Sequence, residues 1–228
     1  MSKKYIATVI LVMTTTMGAW AQEVGLSFSY FIPRNGYFST PISPFSVRGV
    51  GVDLNDYIAI ETGFSLYRMA GLNVIELPFE SKKPLVGPNF TVFVPLELVL
   101  QFPGEKVKFD IKGGGFAFYG FDQKINYGNF DEAMRDFTGW QLADGQLTGE
   151  NKLGFGYHAG IELTWYVARQ FGISFEVNYL MGSSRFPLSG SYTGFSGLAV
   201  ETLPIDYADA RIDLTGLEFS LGVILTGK

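Results

Sequence analysis

Cysteine is absent from the 228 residues, which excludes a disulfide framework, a thiolate metal centre and a lipid anchor carried on a cysteine. Histidine occurs once, at His158, so metal sites built on two histidines and most zinc centres are excluded too. Past the first twenty-odd residues, no stretch approaches the ~18 consecutive apolar residues of a membrane helix. Basic residues are outnumbered, 17 Lys and Arg against 22 Asp and Glu, which argues against nucleic acid as a partner. No pattern in the chain calls for a cofactor. What is present is 47% hydrophobic and 16% aromatic residues with 28 glycines, a mixture that fits β structure better than helix. The length suits a single domain.

The N-terminal segment has the form of an export signal. Lys3 and Lys4 make a basic start, Tyr5 to Met17 an apolar stretch diluted by Thr14, Thr15 and Thr16, and Ala19-Trp20-Ala21 a small-residue cleavage triplet. The expectation is a signal peptide over 1–21, cleaved after Ala21, with 22–228 as the mature chain. Losing Lys3 and Lys4 takes the net charge from −5 to −7.

From Leu153 the chain alternates strictly. Phe155, Tyr157, Ala159, Ile161, Leu163, Trp165 and Val167 share one face, with Gly154, Gly156, His158, Gly160, Glu162 and Thr164 on the other. After Ala168-Arg169-Gln170 the period of two resumes: Phe171, Ile173, Phe175, Val177 and Tyr179 stand against Gly172, Ser174, Glu176 and Asn178. This is a β-hairpin with one wholly apolar face. The same rule gives strands over Val24–Ile32, Phe45–Leu54, Ile58–Tyr67, Phe90–Phe102, Val107–Ile111 and Ile212–Leu225. Three irregularities stand out. Arg48 falls in the apolar phase, as a bulge or an interfacial position would explain. The phase of the aromatics is lost at Gly113-Gly114-Gly115, and a slip near Gly216 separates Ile212 and Leu214 from the rest of the last strand.

Eight strands result, joined alternately by long connections (33–44, 70–89, 122–152, 182–211) and short ones (55–56, 103–105, 168–170). Within 122–152, Asn129 is a candidate cap for a short helix with Phe130, Met134 and Phe137 on one face. An even strand number with loops sorted by length onto the two rims is the pattern of a bacterial outer-membrane barrel. A soluble sandwich or lipocalin has no reason to sort its loops in this way. The expected fold is therefore all-β: an eight-stranded antiparallel up-and-down transmembrane β-barrel in the outer membrane of a Gram-negative bacterium. A strand of about fifteen residues, at ~3.3 Å rise and ~40° tilt, spans roughly 38 Å against an apolar band of about 25 Å, so the barrel should project on the long-loop side. Tyr30, Tyr67, Tyr119 and Tyr179 on that side, and Tyr57, Phe102, Trp165, Tyr166 and Phe171 near the short turns, are candidates for two aromatic girdles.

The chain resembles the small outer-membrane barrels of the OmpA-transmembrane and OmpX type, and more closely the PorT-like barrel family of Bacteroidetes. The resemblance rests on Ile60-Glu61-Thr62-Gly63-Phe64-Ser65-Leu66-Tyr67 and on Phe93-Val94-Pro95-Leu96-Glu97-Leu98, and it spans the mature chain. Such barrels usually end in an aromatic read by the assembly machinery. Here Ser220-x-Gly222-x-x-Leu225 keeps the spacing, but Gly227 stands at the aromatic position. The resemblance implies a membrane protein with a role in assembling a secretion machine.

The constellation with most chemistry is on the inward face. Asp53, Glu61, Glu97, Asp110, Glu162, Glu176 and Glu218 are expected inside the barrel with Lys108, Lys112 and His158, and Arg48 is ambiguous. Pairing Val167 with Phe171 would oppose Glu162 to Glu176, which is unfavourable for like charges. Lys108 and Lys112, on the adjoining strand, are expected to reach into that pair. Eight strands leave an interior just wide enough for side chains, so a charge-paired plug is the expected outcome, with a narrow cation path as the alternative. Catalysis has little support. Lipid A deacylases of this barrel size carry a His-x-Ser pattern, and Tyr157-His158-Ala159-Gly160 lacks the serine. Asp144-Gly145 and Asn151 resemble calcium ligands without the EF-hand spacing. The expected function is a non-enzymatic barrel whose long loops contact an extracellular or secretion-machinery partner. A small-solute porin and a lipid-modifying enzyme are the alternatives.

Overall fold

The computed structural model describes residues 23–36 and 42–226; the expected signal peptide, part of the first long loop and Gly227 lie outside them. The elements run β1 (Glu23–Pro33), β2 (Ile42–Asn55), β3 (Ile58–Met69), β4 (Val74–Ile75), β5 (Asn89–Pro103), β6 (Val107–Phe121), α1 (Tyr127–Thr138) and β7 (Leu142–Gly149). They continue as β8 (Gly154–Ala168), β9 (Phe171–Arg185), β10 (Leu188–Phe195), β11 (Val200–Tyr207), β12 (Arg211–Asp213) and β13 (Gly216–Thr226). Eight of them pair in the order β1-β2-β3-β5-β6-β8-β9-β13, and β13 pairs back onto β1, so the antiparallel sheet closes and leaves no free edge. The remaining strands belong to structure above the barrel.

The period of two sorts the wall. Leu26, Phe28, Val52, Ile60, Leu96, Leu98, Phe109, Phe155, Ile161, Phe175 and Leu221 are all exposed, the most exposed of these being Leu96 at 63%. Among the described residues, no outward position of the barrel strands between the turn-side ends and the long-loop rim carries a charge. A soluble protein does not leave so continuous an apolar surface in water. At the short-turn rim Tyr57, Phe102, Trp165 and Phe171 are exposed, as is Tyr119 towards the other rim. Two expected girdle residues are not there. Tyr67 lies in the inward register and is 1% exposed, and Tyr166 turns its hydroxyl into the barrel mouth, donating to Glu23 Oε1 at 2.9 Å.

The irregularities resolve differently from one another. Arg48 is brought inside by a bulge: the β2–β3 register shifts between Val47 and Val50, where Gly49 adopts φ +70°. At Gly113–Gly115 there is no slip. The β5–β6 and β6–β8 registers run through unbroken, and the inward phase of Lys108, Asp110 and Lys112 continues into Phe116 and Phe118. The glycines opposite make room for them, and a Cβ at Gly156 would collide with the Phe116 ring. The last strand behaves alike. Asp213 opposite Ser183 and Gly216 opposite Leu180 keep one register, so Ile212 and Leu214 are inward residues, 3% and 0% exposed, in phase with Glu218. The lumen changes content with height; the strands do not change phase.

The long connections are folded. The two-residue turn after β2 is Asp56-Tyr57, one position later than expected, and the β8–β9 hairpin closes with Ala168 opposite Phe171 after a bulge. The 122–152 connection holds α1 and β7, and 182–211 holds the end of β9 with the hairpin β10–β11. β7, β10 and β11 form a three-stranded sheet with β10 in the middle. α1 buries Phe130, Ala133 and Met134, and its N-cap is Asn126, without a side-chain capping bond. Asn129 instead donates to the Pro84 carbonyl at 2.7 Å, tying the helix to the 70–89 connection. The helix, the sheet and the upper lumen share one apolar cluster, from Phe31, Phe93, Phe116 and Phe118 up through Phe130, Met134, Trp140, Phe186 and Tyr192. The long connections therefore make a cap whose core runs down into the barrel.

Candidate functional site: the charged lower lumen

Below that apolar plug the inward positions are ionic. Six buried carboxylates, Glu61, Glu97, Asp110, Glu162, Glu176 and Glu218, face three buried cations, Arg48, Lys108 and Lys112, and His158 is buried with them. The sheet registers oppose several acids directly: Glu61 to Glu97, Asp110 to Glu162, and Glu162 to Glu176. Opposed like charges in a low-dielectric interior are strongly unfavourable unless cations lie between them.

Lys112 is the cation that answers this. Its Nζ lies 2.5 Å from Glu162, 3.4 Å from Glu61, and 4.0 Å from both Glu97 and Glu176. One ammonium thus bridges four carboxylates from four strands. Arg48 serves the other side, with Glu218 at 2.6 Å and Glu176 at 3.8 Å. Asn178 donates to Glu176 at 2.8 Å and to Glu218 at 2.9 Å, and the Tyr67 hydroxyl donates to Glu218 from above. Lys108 does not join the Glu162–Glu176 pair as expected. Two residues nearer the turn than Asp110, it binds that residue at 3.2 Å and Glu23 at 2.6 Å. Asp53 lies lower still, 3.4 Å from Gln101. His158 Nε2 is 3.5 Å from Glu97, and its ring stands 6.1 Å from that of Phe116, at the boundary of the two zones.

Pattern reading left Arg48 open, and the bulge settles it inward; it missed Glu23, at the very start of β1, and the uncharged Asn178 and Tyr67 as members of the network. For Glu23, Asn178 and Tyr67 the inward phase was the available signal.

The lumen is closed. The enclosed spaces beside the cluster measure about 10 Å³ each, room for about one water. Several buried polar atoms, including Glu61 Oε2, Glu97 Oε1, Asp110 Oδ1 and both His158 ring nitrogens, lack a direct hydrogen bond. Below them the barrel opens into a vestibule of about 820 Å³ lined by Glu23, Asp53, Gln101, Lys108, Tyr166 and Arg169. Among the described residues, no group of three or more acids and histidines is arranged to hold a metal ion.

A closed eight-stranded antiparallel barrel with an apolar wall and a side-chain-filled interior is the architecture of the small outer-membrane barrels. No protein-family model and no curated protein matches the chain. Among solved structures it is similar to the outer membrane protein OprG of Pseudomonas aeruginosa, at 11% identity and TM-score 0.50, covering 90% of this chain and 95% of that one. Also similar are the N-terminal β-barrel domain of Pseudomonas aeruginosa OprF (10% identity, 90% and 96% covered, TM-score 0.43) and Ail, the attachment invasion locus protein of Yersinia pestis (12%, 89% and 94%, TM-score 0.42). At these identities the likeness is one of fold.

Proposed function

We propose that this chain is an integral outer-membrane protein of a Gram-negative bacterium, non-enzymatic, with a sealed lumen and a folded extracellular cap that contacts a partner. The observation that carries the reading is the uncharged, apolar outward register below the long-loop rim on all eight strands, around a lumen filled by side chains above its lower vestibule. A sealed barrel transports nothing through its centre, so the surface left for function is the cap. Phe137, Leu142, Leu198 and Val200 are exposed there. The partner is an extracellular or secretion-machinery protein, and the resemblance of Ile60–Tyr67 and Phe93–Leu98 to the PorT-like pattern favours the second. Retention in the outer-membrane fraction through an alkaline wash, with gel mobility that shifts on heating, is the expected result. Release into the soluble fraction would end the barrel reading. Crosslinking in intact cells followed by affinity capture, with Leu198→Asp and Val200→Asp together as the comparison, is expected to lose the partner in the variant.

The second reading, a narrow cation path, draws on the excess of six buried carboxylates over three cations. Against it stands the aromatic plug directly above the cluster.

A further inference from the structure

The lipid-facing wall ends unevenly. Going up the outward register, the first charged residue met is Arg34 just past the end of β1, Arg68 on β3 and Arg185 on β9. Arg68 lies ten positions and Arg34 eleven positions above the turn-side ends Ile58 and Glu23, so at ~3.3 Å rise and ~40° tilt they stand about 25–28 Å up, close to the height of the apolar band. Arg185, fourteen positions above Phe171, lies about 8–10 Å higher by the same measure, and the headgroup layer beyond the hydrocarbon is on the order of 5–8 Å thick. These guanidiniums therefore span the depth of a lipid headgroup layer.

None of them has an ionic partner in the described residues, where the ion pairs of the long-loop side are Lys82–Asp136, Lys83–Glu132 and Lys152–Glu150. Arg68 is exposed and stands directly opposite Phe90, which stacks on Phe121 with centroids 5.8 Å apart. An unpaired cation beside an aromatic belt is at home at a membrane interface. Arg185 is directly opposite Arg211 across the β9–β12 pair, two like charges side by side. Asp213, two residues along β12 from Arg211, is already committed to Asn35 at 3.2 Å and to the Thr215 amide at 3.0 Å. Opposed arginines without a counter-charge are unfavourable. An anion lying between them removes the conflict, and a planar fork of donors suits phosphate oxygens above other anions.

We infer that Arg34, Arg68 and the Arg185–Arg211 pair hold the phosphate groups of outer-leaflet lipid headgroups, those of a phosphorylated glycolipid. The assignment rests on the membrane reading above. It differs from general interfacial attraction, because the acceptor is phosphate and the donors are at fixed positions on the wall.

The test uses the full barrel reconstituted in phosphatidylcholine vesicles containing either diphosphorylated lipid A or its dephosphorylated form, with bound lipid A counted by native mass spectrometry after extraction. The wild type is expected to retain the diphosphorylated lipid about tenfold better than the dephosphorylated one. R34Q/R68Q/R185Q/R211Q is expected to erase that difference, and the corresponding lysine variant to keep part of it. Inorganic phosphate at millimolar concentration should not displace the lipid; displacement would show a free-phosphate site and overturn the lipid assignment. Equal retention of both lipids by the wild type, or unchanged preference in the glutamine variant, overturns the proposal. Heat-shifted gel mobility of every sample separates those results from failure of the barrel itself. If the glutamine variant does not insert, R68Q and R185Q/R211Q tested apart carry the same comparison.

Discussion

The two halves of the lumen are built on the same strands, in the same register, and solve the same packing problem with opposite chemistry. Above His158 the interior is filled by Phe31, Phe93, Phe116, Phe118 and Leu180. Below it the interior is filled by three cations and six carboxylates. The aromatic half gains stability by removing apolar surface from water and by ring contacts such as Phe93–Phe116, with centroids 4.7 Å apart. The ionic half gains little net energy, because desolvation offsets most of the Coulomb attraction. It is, however, intolerant of losing a partner. The comparison teaches that one half is the energetic anchor, continuous with the cap, and the other holds the strands in a single register.

The ionic half is expected to break hardest. Lys112→Met leaves four carboxylates around an apolar stem and should cost about 3–5 kcal/mol, read by urea unfolding in micelles. Adding Glu162→Gln should recover part of that loss. Recovery of nothing would mean that Lys112 acts through packing and not through charge.

Phe116→Ala removes a ring from the other half and should cost about 3–4 kcal/mol. The loss should not be recovered by Glu162→Gln, since the two zones do not share a charge. Gly156→Ala pushes a methyl into the same ring and against the Met181 carbonyl and should cost about 1–3 kcal/mol, with Phe116→Leu in the same chain relieving only part of it.

The smallest effect belongs to the cap. Tyr192 is fully buried and donates to Asp131 at 2.7 Å; burial first, then that carboxylate, holds its hydroxyl well above the usual phenol range. A proton held more tightly in the folded state stabilises fully below the ordinary phenol pKa of about 10 and is lost as pH rises past it. The cap should therefore loosen above pH ~10 while the barrel stays inserted. Tyr192→Phe should cost the cap about 0.5–1.5 kcal/mol and blunt the alkaline transition, as followed by amide exchange.

The barrel was legible in the chain because its signal is local: a period of two, and loops that alternate in length. The inward position of Glu61, Glu97, Asp110, Lys112, Glu162, Glu176 and Glu218 followed from phase alone. The partners did not, because a lysine stem reaches across strands whose separation along the chain says nothing of their distance. Lys108 was therefore assigned to the wrong acids. The phase is hard to follow past Gly113-Gly114-Gly115, where Phe116 and Phe118 stand, and at Ile212 and Leu214, for a different reason. An outer-membrane lumen is expected to be polar, so apolar residues in the inward phase look like an error of register. Only the cap core, assembled from three distant connections, explains why they belong inside.

The central claim is a sealed lumen, and a planar-bilayer recording of the purified wild-type barrel tests it most directly. No stable conductance step is expected. Stable cation-selective steps that change with Glu162→Gln would contradict the account and make the ionic half a path.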